Sequence, residues 1–220
     1  MTTEIIGKPV FAYLKTVLQP GETFIAEADA MATMSSDLDM TAKFNGGFFA
    51  ALGKKIFGGE SLFVNHFTNN TATPLDITLA QATPGDIVER EMNGESYCLQ
   101  RGAYIASEPG VKLGVKWAGL GSFIGREGLF KLVVSGHGKV YFGAYGGIVE
   151  KEVNGEYIVD SGHLVAYEPT MKLKPQLAGG IIGSFLGGEG FVTKVQGTGK
   201  IYLQTRSMTG MASWVNRHLY

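Results

Sequence analysis

A chain of 220 residues with 45% apolar and 18% charged side chains is long and apolar enough to bury a core, which excludes intrinsic disorder. A net charge of −1 with a pI of about 6.4 provides no basic field, so nucleic acid is not expected as a partner. A single cysteine, Cys98, excludes an internal disulfide and a cysteine-based zinc site. Glycine is the outlier at 32 residues, about twice the average usage. It comes with seven prolines and no period of three, so tight turns and close backbone approaches account for it rather than a collagen pattern. No run of 18 apolar residues and no secretory signal are visible, and the expected location is the cytoplasm.

In chain order, the first segment opens at Gly21-Glu22-Thr23-Phe24-Ile25 and reaches Phe57-Gly58-Gly59-Glu60-Ser61-Leu62-Phe63. Within it, Phe48 to Phe57 suits a turn or two of helix with Phe49, Leu52 and Ile56 on one side, weakened by four glycines. Ile87–Met92 and Ile148–Val153 partly alternate apolar with charged residues, as strands with one wet face do. Asn93-Gly94 and Asn154-Gly155 come directly after them and read as type I′ hairpin turns. Cys98 lies in an alternating apolar pattern and is expected to be a buried structural thiol. Met208, Met211, Val215 and Leu219 recur at helical spacing, so 207–219 is expected to be a C-terminal helix docked on the body or on a neighbouring subunit.

These signals repeat. Glu108-Pro109 and Glu168-Pro169 succeed the two Asn-Gly steps. Ile124-Gly125-Arg126-Glu127-Gly128-Leu129-Phe130 matches Leu186-Gly187-Gly188-Glu189-Gly190-Phe191-Val192, and Gly138-Lys139-Val140-Tyr141 matches Gly199-Lys200-Ile201-Tyr202. The boundaries are approximately 1–84, 85–145 and 146–206 within a single domain. Repetition of this kind fixes architecture before chemistry. The expected fold class is all-β: internally triplicated β-sandwich or double-stranded β-helix-like units around a pseudo-threefold axis, with a short C-terminal helix. About twenty short strands cannot share one flat sheet and must divide among several.

Catalytic and metal motifs are thin. His66, His137, His163 and His218 are far apart with no His-x-His, which suits structural or exposed roles better than a metal site. There is no Gly-x-Ser-x-Gly elbow and no phosphate-binding loop, and Ser122 and Ser184 recur without a recurring His or Asp beside them. No cofactor is expected, nor is an enzyme. Glu60, Glu127 and Glu189 recur in the glycine-rich segments; they would either hold a cation or share a proton, or accept N–H bonds from their own turns.

The order of motifs, from Gly21–Met31 through Gly59–Asn69 to Gly188-Glu189-Gly190-Phe191, resembles the family of altered-inheritance-of-mitochondria protein twenty-four over almost the whole chain. The resemblance implies a β-rich fold related to the tryptophan RNA-binding attenuation protein, a homo-oligomer drawn as a trimer, and mitochondrial relatives linked to inner-membrane organisation. It implies no enzyme activity and no agreed catalytic residues.

The sharpest functional candidate is the apolar, nearly uncharged segment that closes each repeat, marked by Phe49, Phe123 and Phe185 with the glutamates Glu60, Glu127 and Glu189. These segments would fold back into the core or a subunit interface, self-associate, or meet a membrane, with Lys54, Lys55, Lys116 and Arg126 near anionic headgroups. A scaffold or binding module acting through this end is the expected function. The alternative is a small-molecule or nucleic-acid binder using strand faces, by fold analogy alone.

Overall fold

Val, Ile, Thr and aromatic residues in short alternating runs dictate strands, and the computed structural model is almost entirely β. It describes residues 1–44, 63–100, 102–117, 130–177 and 191–219. The chain begins with β1 (Thr2–Ile6), β2 (Tyr13–Leu18), β3 (Thr23–Glu27), β4 (Met31–Met34), β5 (Asp39–Phe44), β6 (Phe63–Thr68) and β7 (Leu75–Ala80). Next come β8 (Ile87–Leu99), β9 (Tyr104–Ser107), β10 (Val111–Trp117) and β11 (Phe130–Gly143). The last elements are β12 (Ile148–Asp160), β13 (Leu164–Tyr167), β14 (Lys172–Leu177), β15 (Phe191–Gln204) and helix α1 (Met208–His218). A 3-10 turn at Ser161–His163 leads into β13.

The strands divide between two sheets, as their number requires. One is four-stranded, β1-β2-β7-β4. The other runs β12-β15-β13-β8-β11-β9-β3-β6-β5, with β10 on β11 and β14 on β15. The ladders between named strands are antiparallel.

Two long ribbons, β8·β11 and β12·β15, organise the second sheet. Here the structure corrects the sequence reading: Asn93-Gly94 and Asn154-Gly155 are not hairpin turns but lie inside β8 and β12. Gly94 (φ 100°) faces the irregular step at Ser135/His137 of β11, while Gly155 (φ 107°) pairs directly with Gly197 (φ 133°). A positive φ within a continuing ladder bends the strand rather than reversing it, so each ribbon folds over with its partner still attached. The approach is close: a Cβ on Gly136 would lie 2.4 Å from the Gly110 carbonyl oxygen. The N-terminal segment instead forms two separate ladders, β2·β7 and β3·β6. Buried Asn69 holds the corner between them, its Nδ2 donating to the carbonyls of Leu18 and Thr73 at 2.9 Å each.

Among the described residues three apolar clusters fill the folded ribbons, and each takes in side chains from a neighbouring ribbon. The first, around Leu14, Phe24, Phe67 and Leu79, includes Tyr141 of β11, whose ring meets Phe24 edge-on at 5.8 Å. The second, around Met92, Tyr104 and Phe142, takes in Ile25 of β3 and Tyr202 of β15. The third, around Val153, Leu164, Val195 and Ile201, takes in Cys98, buried as expected. Each fully buried aromatic or aliphatic side chain contributes roughly 1.5–3 kcal/mol. The side chains lent by neighbouring ribbons make it costly for one cluster to open alone.

Helix α1 forms where the spacing predicts. The Ser207 side chain caps it by accepting from Gly210 N at 3.0 Å, and Arg217 and His218 complement the C-terminal dipole. The expectation that it docks on the body is corrected: none of its residues is buried. Met208, Met211 and Trp214 stand in solvent, with Trp214 stacked on His218 at 4.5 Å between centroids. Among the described residues no helix is long and apolar enough to cross a membrane.

Candidate functional site

The ladder β5·β6 runs from Asp39↔Thr68 to Phe44↔Phe63, β10·β11 from Val111↔Gly136 to Trp117↔Phe130, and β14·β15 from Lys172↔Gln196 to Leu177↔Phe191. Each glycine-rich segment therefore connects two strands that are paired up to their last residues. Phe49, Glu60, Phe123, Glu127, Phe185 and Glu189 lie outside the described residues, as do Ser122, Ser184 and the helix expected over 48–57.

The described strands add a feature that the sequence reading missed. Near two of these ends, lysines stand directly opposite one another in register: Lys116↔Lys131 and Lys174↔Lys194. Like-charged residues at opposed positions of a ladder disfavour pairing, and the charges of Lys131 and Lys194 are balanced locally. Lys131 Nζ lies 4.9 Å from the centroid of the Tyr167 ring, and Lys194 Nζ is 2.9 Å from Glu156 Oε2. Only register reveals these pairs, because the partners are 15 and 20 positions apart across strands whose alignment the sequence does not state.

Several other ionisable groups are bound to one another. Lys139 pairs with Glu89 at 2.8 Å and Lys200 with Glu150 at 2.5 Å. The Lys200 bond holds the Glu150 carboxyl below its usual range, so it is ionised and is no proton donor near neutrality. Burial pushes the Tyr202 phenol up to about 12, which keeps it protonated. Arg90 sits over the Tyr97 ring at 4.9 Å and donates to Tyr202 Oη at 3.3 Å, tying β8 to β15. These contacts join the ribbons.

The recurring Glu-Pro and Gly-Lys steps explain each other. Glu108 N donates to the Lys139 carbonyl at 2.9 Å, and Glu108 Oε2 accepts from Lys139 N at 3.0 Å. Glu168 and Lys200 repeat both bonds at 3.2 Å. Ser35 does the same for Asp76 with its hydroxyl, where no Glu-Pro marks the sequence. A shallow depression of about 450 Å³ beside Glu108 is lined by Met1, Gly21, Glu22, Thr23, Pro109 and Gly110. Its two carboxylates already serve backbone turns, Glu22 accepting from Gln19 N at 2.7 Å.

The histidines are dispersed. His66 lies on β6 between Thr41 and Ile25, and His137 lies at the β11 irregularity. His163 Nδ1 is 2.6 Å from the Gln204 carbonyl oxygen, and His218 is on α1. Among the described residues no three His, Cys, Asp or Glu side chains are placed to hold a metal.

Bent antiparallel ribbons packed against one another, with glycine-rich connections and an exposed terminal helix, define an all-β architecture. The family profile described as Mitochondrial biogenesis AIM24 matches residues 3–206, and the chain belongs to that family. It is similar to an uncharacterized protein of Streptococcus pyogenes serotype M6, 26% identical over 218 residues, covering 95% of this chain and 87% of that one. It is also similar to a Streptococcus pyogenes protein whose crystal structure was solved by structural genomics. That match has a TM-score of 0.79 and 25% identity, and covers 99% of both chains.

Proposed function

We propose that this protein is a non-enzymatic, homo-oligomeric scaffold built from three equivalent folded ribbons, and that its glycine-rich ends work from the cytoplasm against an anionic membrane surface. The observation that carries this reading is the placement of cross-strand lysine pairs where ladders pass into apolar glycine-rich connections. Apolar side chains flanked by cations are what a headgroup boundary binds. Helix α1 supports the same reading, since residues 206–219 contain no acidic side chain and expose Met208, Met211 and Trp214. Triplication is supported by the register, because the step after the first pair of each third strand is irregular at the same place: Met31/Thr33, Tyr104/Ala106 and Leu164/Ala166.

The test is co-sedimentation with phosphatidylcholine vesicles, with and without phosphatidylserine. The intact protein is expected to pellet with the anionic vesicles and to be released by salt. A variant carrying Phe49→Asp, Phe123→Asp and Phe185→Asp is expected to stay in the supernatant with unchanged circular dichroism. Equal partitioning of the two proteins defeats the reading.

A further inference from the structure

The sheet has a rule for how one ribbon joins the next, and among the described residues two strand edges leave that rule unfulfilled. Strand β9, carried by β11, also pairs with β3 of the preceding segment through Ala106↔Ala26 and Ser107↔Ile25. Strand β13, carried by β15, pairs with β8 in the same way through Ala166↔Leu99 and Tyr167↔Cys98. The corresponding third strand of the first segment is β4, where Thr33 pairs with Thr78 as Ala106 does with Tyr141 and Ala166 with Tyr202. Among the described residues β4 pairs with β7 alone and ends the four-stranded sheet. At the far end, β12 pairs with β15 alone among the described residues and ends the longer sheet. Its Ile158 and Val159 face Lys194 and Thr193, as Cys98 and Leu99 face Val133 and Leu132.

Exposure separates these two edges from their counterparts. Ile25 and Cys98 are 7% and 6% exposed, whereas Ile158 is 55% exposed. All four residues of β9 and of β13 are buried, whereas Ala32 and Thr33 of β4 are exposed. Charged residues guard the first half of the β12 edge at Glu150, Lys151 and Glu152; after Glu156 the run Tyr157-Ile158-Val159 has none. An uncharged apolar edge is a template for another strand.

From this continuity with the internal joints, and resting on the reading of three equivalent ribbons, we infer that β12 of one copy of this chain pairs with β4 of a second copy, in the register Val159↔Thr33 and Ile158↔Met34. The two surfaces differ, so the contact is head-to-tail, and successive copies form a ring or a filament. Internal joints of the same kind bring Ala166 and Tyr167 against β8 and leave each fully covered. Covering Ile158 in the same way removes the largest apolar exposure on β12.

Disulfide trapping tests the register. Ile158→Cys and Met34→Cys are made in separate preparations, with the buried native Cys98 left in place. Residues directly opposite in a ladder have Cβ atoms within disulfide reach. Mild oxidation of a 1:1 mixture is expected to yield a covalent dimer that neither preparation forms alone. No dimer in the mixture overturns the inference, as does a dimer from Ile158→Cys alone, which would mean edge-to-edge pairing of two β12 strands. A disulfide within a single chain carrying both substitutions would also overturn it, because the two edges would then close on each other. Ile158→Lys, at a position exposed in the single chain, is expected to reduce the weight-average mass in sedimentation to the 23.6 kDa of one chain without lowering the melting temperature; an unchanged mass overturns the inference. The phenylalanine-to-aspartate variant at the glycine-rich ends is expected to retain the cross-link when it also carries the cysteines. Its loss there would assign assembly to those ends instead.

Discussion

If Glu108 is a backbone cap and Gly138 is glycine because that cap occupies the space beside it, substitutions at the two positions must be coupled. Glu108→Ala removes the acceptor for Lys139 N, a bond made at 3.0 Å. Hydrogen bonds to a charged group are worth roughly 1.5–3 kcal/mol, so a loss of about 2 kcal/mol is expected. Gly138→Ala places a Cβ 2.8 Å from Glu108 Oε2 at a backbone φ of 114°. The positive φ costs roughly 1–2 kcal/mol for an L-residue, and the displaced carboxylate forfeits about the same 2 kcal/mol as its deletion. The single Gly138→Ala substitution should therefore cost about 3–4 kcal/mol, and adding Glu108→Ala should cost almost nothing more. That is a coupling of about 2 kcal/mol between the two sites. Urea unfolding of the four proteins at pH 7, monitored by circular dichroism, measures it. Strictly additive losses, or a Glu108→Ala variant within about 0.5 kcal/mol of wild type, would refute the account of the Glu-Pro and Gly-Lys steps.

Gly85→Ala would put a Cβ 1.8 Å from the Ala144 carbonyl oxygen and 2.8 Å from Gly146 N, both backbone atoms that cannot rotate away. A loss of about 4 kcal/mol or more is expected in thermal unfolding. Gly114→Ala, whose nearest neighbour is Val133 O at 3.8 Å, should be neutral or gain about 0.5 kcal/mol. For His66, burial lowers the pKa and the nearby Lys43 lowers it further. The unfolded chain then binds the proton more readily than the folded one, so stability present above pH 6.5 falls as pH drops through that ordinary value. In urea titrations across that range, His66→Gln should flatten the slope; an unaltered slope would place its origin elsewhere.

Part of the fold was legible because its signals are local and repeated. Alternation gave strands, and helical spacing with Ser207 at the cap gave α1. The recurrence of Glu-Pro with Gly-Lys marked one hydrogen-bonded corner seen twice. The third instance was hidden because Ser35 makes the same bond with a hydroxyl. Asn93-Gly94 and Asn154-Gly155 misled because local chemistry specifies a positive φ but not the path of the chain beyond it. Across from Gly155, Gly197 also adopts a positive φ, and a paired bend results where an unpaired one would have become a hairpin. The candidate residues Phe49, Phe123 and Phe185 were legible as a repeated pattern, but the lysine pairs beside their segments were not. Register belongs to tertiary structure.

The same distinction accounts for the two open edges. A repeat read from sequence invites closure into a symmetric ring of three, in which each copy has two neighbours. The ladders show how the neighbours are joined: β3 receives β9, and β8 receives β13. Nothing in that rule requires the third step to return to the first. On the proposed reading of three equivalent ribbons, two joints use two of three donor edges and two of three acceptor edges, and the remainder, β12 and β4, end different sheets. If each joint extends a sheet by backbone pairing, a second chain satisfies the remainder with the same contacts already made twice within the first. Assembly then needs no new interface, and the glycine-rich connections stay available for a surface of a different chemistry.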